Sequence, residues 1–130
     1  KAREHHEQAL KLDPDYGVAW ELLAWTYIKD VWLGSSDSPG ESIKQALEIA
    51  EKTSNHWSKG GLPFLMSEIY LLQRQFEKAI TEGKKAVALN PNNSRCHIGL
   101  AGAFNRGAKP EEAIFHVKQA MRLEPYYPAR

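Results

Sequence analysis

Three clusters in this 130-residue sequence carry residue types that could do chemistry. His5 and His6 stand between Glu4 and Glu7, a mixture of nitrogen and oxygen donors of the kind that binds a transition metal. Adjacent helical residues point about 100° apart, so the two imidazoles do not converge, and the His-Glu-x-x-His spacing is missing. His6 also falls at an inter-helix packing position, and no metal is expected. Gly34 to Ser42 has the glycine and hydroxyl content of a phosphate loop. It lacks both the Gly-Lys-Ser/Thr ending and a preceding strand, so a helix cap is expected instead. Cys96 next to His97 offers a nucleophile and a base, but consecutive helical residues face different directions and nothing nearby orients the imidazole. A buried structural role is expected for the thiol. The 16 carboxylates fall mostly on exposed helix faces, where charge serves solvation. No catalytic residue, cofactor or metal ligand is therefore expected, and the chain reads as a non-enzyme.

Composition narrows the alternatives. Lys plus Arg is 17 against 16 acidic residues, a net charge of +1 that argues against an electrostatic nucleic-acid binder. No run of about 18 apolar residues occurs, so no membrane span is expected. The single cysteine, Cys96, cannot pair internally, which fits a reducing compartment and an expected cytoplasmic location.

The elements that must position these residues are written as a repeat. Displaced by 34 residues, the C-terminal half of the sequence falls onto itself. Met66-Ser67 lands on Leu100-Ala101, Tyr70 on Phe104, Glu77 on Glu111 and Ala79-Ile80 on Ala113-Ile114. Ala86, Leu89 and Pro91 land on Ala120, Leu123 and Pro125. Upstream, Leu12-Asp13-Pro14 repeats Leu89-Asn90-Pro91, and Trp20, Leu23, Ala24 and Tyr27 take the parts of Pro63, Met66, Ser67 and Tyr70. Pro14 and Pro91 are 77 residues apart, nine more than two such repeats require.

Each unit reads as two helices, because its apolar residues recur at offsets of three and four. Small residues let the paired helices approach, large ones fill the grooves, and the prolines after Leu12, Leu89 and Leu123 end each unit. Asp15 and Asn92 stand where N-caps are wanted. Helices are predicted at about 1–12, 17–32, 39–54, 63–73, 76–89, 94–106 and 110–123, with no strand. The excess residues extend the first helix of their repeat through Lys29 to Leu33, and Ser38-Pro39-Gly40-Glu41 reads as a capping box.

These residues resemble the tetratricopeptide repeat. Trp20, Leu23, Ala24 and Tyr27 match its first helix, while Ala79, Ala86 and Pro91, and again Ala113, Ala120 and Pro125, match its second. The resemblance implies an all-α fold, a right-handed superhelix of antiparallel helix pairs with about seven helices. It divides the single domain 1–130 into a half repeat at 1–16 and repeats at 17–59, 60–93 and 94–127. Three departures stand out: Pro63 opens a first helix, Gly83 replaces a bulky residue and His97 replaces an aromatic. Looser packing is expected around the last two repeats. The sequence starts inside a second helix and stops as another first helix should begin, so a piece of a longer protein is expected. A narrower similarity runs through the Gly-Ser-Ser-Asp-Ser-Pro connection and the closing residues 120–128, which resemble repeat regions at the C-terminus of some bacterial adenylate/guanylate cyclases. That similarity implies a bacterial accessory region that positions or regulates a catalytic domain of its own parent chain.

The family likeness also implies where a partner would sit. First helices line a concave surface, here through Val18, Glu21, Trp25, Ile28 and Lys29, then Phe64, Glu68, Leu71 and Leu72, then Arg95, Ile98, Asn105 and Arg106. A protein or peptide partner is expected there, with aromatic anchors supplying affinity and charges supplying orientation. The family's clamp for a chaperone's C-terminal carboxylate is not expected, because Glu21, Trp25, Leu65 and Gly99 occupy its places and only Arg95 is retained. Trp32 and Trp57 lie near connections and are expected to pack, since aromatics bury large apolar areas. The competing expectation is self-association: a homo-oligomer formed through uncapped ends or the face bearing Trp32 and Trp57.

Overall fold

Seven helices follow one another in the computed structural model, which describes residues 2–13, 17–53, 55, 57 and 59–124. They are α1 (Ala2–Leu12), α2 (Gly17–Trp32), α3 (Pro39–Thr53), α4 (Gly61–Leu72), α5 (Phe76–Leu89), α6 (Ser94–Arg106) and α7 (Pro110–Leu123). No strand occurs among the described residues. The helix boundaries fall within two residues of the predicted ones. Pro14, the Asp15 cap and the closing residues from Pro125 onward lie outside the described residues.

The turn that ends each first helix carries the repeat into three dimensions. At the end of α4, Gln75 N–H donates to Tyr70 O and Arg74 holds a left-handed φ of 59°. Thirty-four residues later, Lys109 N–H donates to Phe104 O and Ala108 has φ 61°. At the end of α2, Ser35 N–H donates to Asp30 O beside Gly34 at φ 71°. This is a Schellman-type close, which satisfies the orphan carbonyls of the last turn through one left-handed residue. Among the three, only Gly34 adopts that conformation without a Cβ penalty.

The chain divides into two compact units, residues 1–58 and 59–130. In the first unit α2 packs against both α1 and α3. Ala19, Leu23, Ala24 and Ile28 of α2 are buried, as are Leu10 of α1 and Ala46, Ile49 and Ala50 of α3. Arg3 ties α1 to α2 through an ion pair with Asp30, a hydrogen bond to Thr26 Oγ1 (3.3 Å) and a position 4.0 Å above the Tyr27 ring. The expected extension of α2 is present as far as Trp32. In the connection that follows, the Ser36 hydroxyl accepts from Ser38 N–H (3.3 Å) and hydrogen-bonds Ser42 Oγ (2.7 Å). Glu41 accepts from Gln45 Nε2 (3.2 Å). Trp57 is half-buried and donates to Thr53 Oγ1 (2.8 Å), whereas Trp32, also expected to pack, is 43% exposed.

In the second unit α4 pairs with α5, α5 meets α6 and α6 pairs with α7. Small residues make the seams: Ala79 and Ala113 on second helices, Ala101 and Ala103 on α6, all buried. Large residues interlock beside them, with Leu71, Ile80, Leu100 and Phe104 in one continuous cluster. Each fully buried side chain of that size contributes about 1.5–3 kcal/mol. Ser67, also buried, spends its hydroxyl on Ala79 O (2.8 Å), so a polar group locks α4 to α5 without being left unsatisfied.

Two sequence expectations are corrected here. Asn93, not Asn92, caps α6, its side chain accepting from Arg95 N–H (2.9 Å) and Cys96 N–H (3.4 Å). Pro91 and Asn92 form a turn, so the cap falls at the residue just before the predicted helix start at Ser94. The packing near Gly83 and His97 is not loose. A Cβ on Gly83 would lie 2.9 Å from Leu100 Cδ1, so the glycine is what admits Leu100 between α5 and α6. His97 is buried with both ring nitrogens engaged.

Candidate interaction surface

The helix pairing that buries Leu65, Ile69 and Leu71 leaves another face of α4 outside the core. Phe64, Glu68 and Leu72 are half-buried there. On α6, Arg95, Gly99, Gly102 and Arg106 share one stripe, because their spacing of four, three and four residues returns to the same side of a helix. The two stripes meet at Gly99, where an added Cβ would lie 2.8 Å from Phe64 Cε1 and 3.4 Å from Glu68 Oε1. Gly99 is therefore required by close approach, not by backbone conformation. One turn further on, a Cβ at Gly102 would meet nothing within 4 Å, so the surface is open at that point.

Charge is organised around Glu68. Burial pushes its carboxyl above the ordinary value, and the guanidiniums of Arg106 and Arg95 pull it back down. The Arg95 guanidinium also stands 6.0 Å above the Phe64 ring. Ile98 is half-buried beside this stripe, and Asn105 is exposed. The second unit thus brings together Phe64, Glu68, Leu72, Arg95, Ile98, Asn105 and Arg106 on two helices joined by direct contact.

In the first unit, Val18 and Lys29 are exposed and Glu21 and Trp25 are half-buried on α2. Ile28 does not belong with them. It is 0% exposed, because α2 is apolar on nearly every side and Ile28 falls one turn after buried Ala24, facing the core. Leu71 is likewise a core residue of the second unit. Sequence reasoning passed over Leu22, which is exposed one turn after Val18 and extends the same apolar strip. The i, i+4 spacing of the two was the signal.

The clusters that suggested catalysis do not assemble. Cys96 is buried, and burial raises its thiol pKa against the opposing influence of Arg95, so the thiolate is disfavoured. His97 engages Pro91 O and His116 Nδ1, leaving neither ring nitrogen for Cys96. No group of three or more His, Cys, Asp or Glu side chains is placed to hold a metal ion among the described residues. No helix there is long and apolar enough to cross a membrane.

Comparison with known proteins assigns the architecture. Residues 64–93 match the model of the tetratricopeptide repeat. This stretch is a tetratricopeptide repeat. It runs from Phe64 on α4, through α5, to the Asn93 cap of α6. A thermophilic tetratricopeptide-repeat protein of Thermus thermophilus superposes with a TM-score of 0.80 at 18% identity, over 95% of this chain and 64% of that one. Two structures of MamA superpose with TM-scores of 0.63 and 0.57 at 17% and 23% identity, each over 95% of this chain. This chain covers 67% and 66% of those two, so it spans about two thirds of the length of its structural neighbours. At such identities the likeness concerns the fold. No curated protein matches the chain in sequence.

Proposed function

We propose that this tetratricopeptide-repeat chain is a non-catalytic interaction module that recognises a protein or peptide through the exposed faces of its first helices. The observation that carries this reading is the joined α4–α6 surface. It offers a half-buried aromatic, a desolvated carboxylate, two guanidiniums and an open glycine step, and these groups are kept out of the helix-pair seams. Aromatic and arginine side chains dominate the energetics of protein recognition. Val18, Leu22 and Trp25 supply a corresponding apolar strip on α2. A domain of the parent chain is one such partner; regulation of an attached nucleotide cyclase, and a bacterial cytoplasmic setting, rest on the sequence reading alone.

The test is capture of partners by the tagged chain beside an Arg95→Glu/Arg106→Glu variant. Both side chains are exposed, so charge reversal leaves the core intact. A partner held by the unmodified chain and lost by the variant supports the reading. Equal capture by both removes the arginines from it.

Self-association is a second reading, favoured by one specific observation: Ile114, Val117 and Met121 form an exposed apolar stripe on α7. Under that reading, Ile114→Glu/Met121→Glu reduces the mass measured by sedimentation, and the arginine variant does not.

A further inference from the structure

His97 of α6 and His116 of α7 form a bonded pair that partner recognition leaves unused. Their Nδ1 atoms are 3.1 Å apart, and His97 Nε2 lies 2.8 Å from Pro91 O in the turn between α5 and α6. Proton positions follow from donor chemistry. A carbonyl oxygen only accepts, so His97 Nε2 carries a hydrogen. A neutral imidazole has one N–H, which makes His97 Nδ1 the acceptor and His116 Nδ1 the donor. The ring centroids are 5.4 Å apart with planes inclined by 24°, so the two Nδ1 atoms face each other head-on. Their lone-pair directions do not converge on a third point, as chelation of a metal would need. The geometry is that of a single N–H···N hydrogen bond.

The surroundings favour the uncharged form of His116. His97 is buried, Phe104 stacks on the His116 ring at 5.6 Å, and Phe115 meets that ring edge-on at 5.1 Å. Burial of the His116 ring, then His97 of α6, then Lys84 of α5, hold the His116 pKa below its ordinary value. All three influences act against a proton, and none of the groups acting on His116 is a carboxylate. The positions 34 residues earlier hold Pro63 and Glu82, so the α4–α5 pair has no equivalent bond.

We propose that His97 and His116 form a proton-sensitive latch that holds α7 to α6 at neutral pH and loosens in acid. One added proton can enter at His116 Nε2 and leave the Nδ1–H···Nδ1 bond intact. An N–H at His97 Nδ1 would instead set two donors head-on across 3.1 Å and break that bond. The unfolded chain protonates the His116 imidazole near pH 6.5. It therefore binds more protons than the folded chain below that pH, and stability falls as pH falls. The loss starts near 6.5, the unfolded value, and continues down through the lowered folded value of His116.

Two measurements on the whole chain test the latch. Imidazole nitrogen NMR at pH 7.5 should show His97 protonated at Nε2 and His116 protonated at Nδ1. Thermal melts from pH 7.5 to 5.5 then compare the unmodified chain with His116→Asn, whose amide N–H replaces the Nδ1 donor but does not titrate. The unmodified chain should lose roughly 5 °C more in Tm over that range than the variant, as differential proton uptake implies. Parallel pH slopes for the two proteins overturn the proposal. So does an NMR spectrum with His97 protonated at Nδ1, a result that stands even if the variant fails to fold.

Discussion

Ile80 and Ile114 hold the same register in successive helix pairs, yet Ile80 is 4% exposed and Ile114 is 55% exposed. The isoleucine of α5 lies under α6, close enough that a Cβ on Gly107 would come 3.1 Å from its Cδ1. The isoleucine of α7 has no such helix over it among the described residues. Val117 and Met121 continue the difference, since their counterparts Gly83 and Val87 face α6 and its neighbours. The same apolar pattern is therefore core in one pair and surface in the next. In a repeat protein, burial belongs to the interface between neighbours rather than to the helix that carries the residue. The pairs also differ inside their seams: α4–α5 is locked by the Ser67 hydroxyl on Ala79 O, where α6–α7 has Ala101 beside Ala113 and relies on the histidine pair instead.

The largest break in this comparison should come from Ile80→Ala, which empties a buried site and costs about 2–4 kcal/mol by denaturant titration. Ile114→Ala should change stability by less than about 0.5 kcal/mol, as an exposed site does. Equal losses at the two positions would mean that α7 is covered in solution, which is what self-association predicts. Next, Gly83→Val gives α5 the residue that α7 carries at Val117. Its Cβ would crowd Leu100 Cδ1 at 2.9 Å and Ser67 Oγ at 3.3 Å, so overpacking should destabilise the chain by about 1–3 kcal/mol. Ser67→Ala makes the α4–α5 seam resemble α6–α7 and should cost about 1 kcal/mol, the net worth of one buried hydrogen bond.

The smallest effect is expected at the surface where the pairs meet. Glu68 has a raised pKa, so in the folded chain its ionised form is disfavoured relative to the unfolded chain, and the group costs stability at neutral pH. Glu68→Gln should raise Tm slightly at pH 7. The gain should fade as pH falls through the folded pKa and vanish below the unfolded value near 4.5, where both states are protonated. A lowered Tm at pH 7 would show instead that attraction to Arg106 and Arg95 outweighs the loss of solvation.

Much of this architecture was legible from spacing alone. All seven helices were, because prolines, glycines and the 34-residue register mark their ends locally. Individual contacts were less so. Gly83 read as a packing defect because the sequence does not reveal that Leu100 uses the vacated space. Ile28 read as surface because α2 is apolar on most sides, which leaves its buried face ambiguous to periodicity. The cap at Asn93 was missed by one residue, since either asparagine can accept from a helix N-terminus and only the Pro91-Asn92 turn decides between them. The bond between His97 and His116 depends on how α6 and α7 pack, and no local motif announces it. On the candidate surface, the sequence reading set the acidic groups toward one end and Arg95 and Arg106 toward the other. Neither the gathering of Glu68 with the two arginines nor the role of Gly99 in seating Phe64 and Glu68 was readable.

The claim that the first-helix surface is the working face is tested most directly by site-specific crosslinking in the source cells. A photoreactive phenylalanine analogue would be placed at Ile98, at Asn105 or, as a control on α7, at Glu112. Crosslinks to the same partner from Ile98 and Asn105, with none from Glu112, are the predicted result. A partner crosslinked from Glu112 and from neither α6 position would contradict the account.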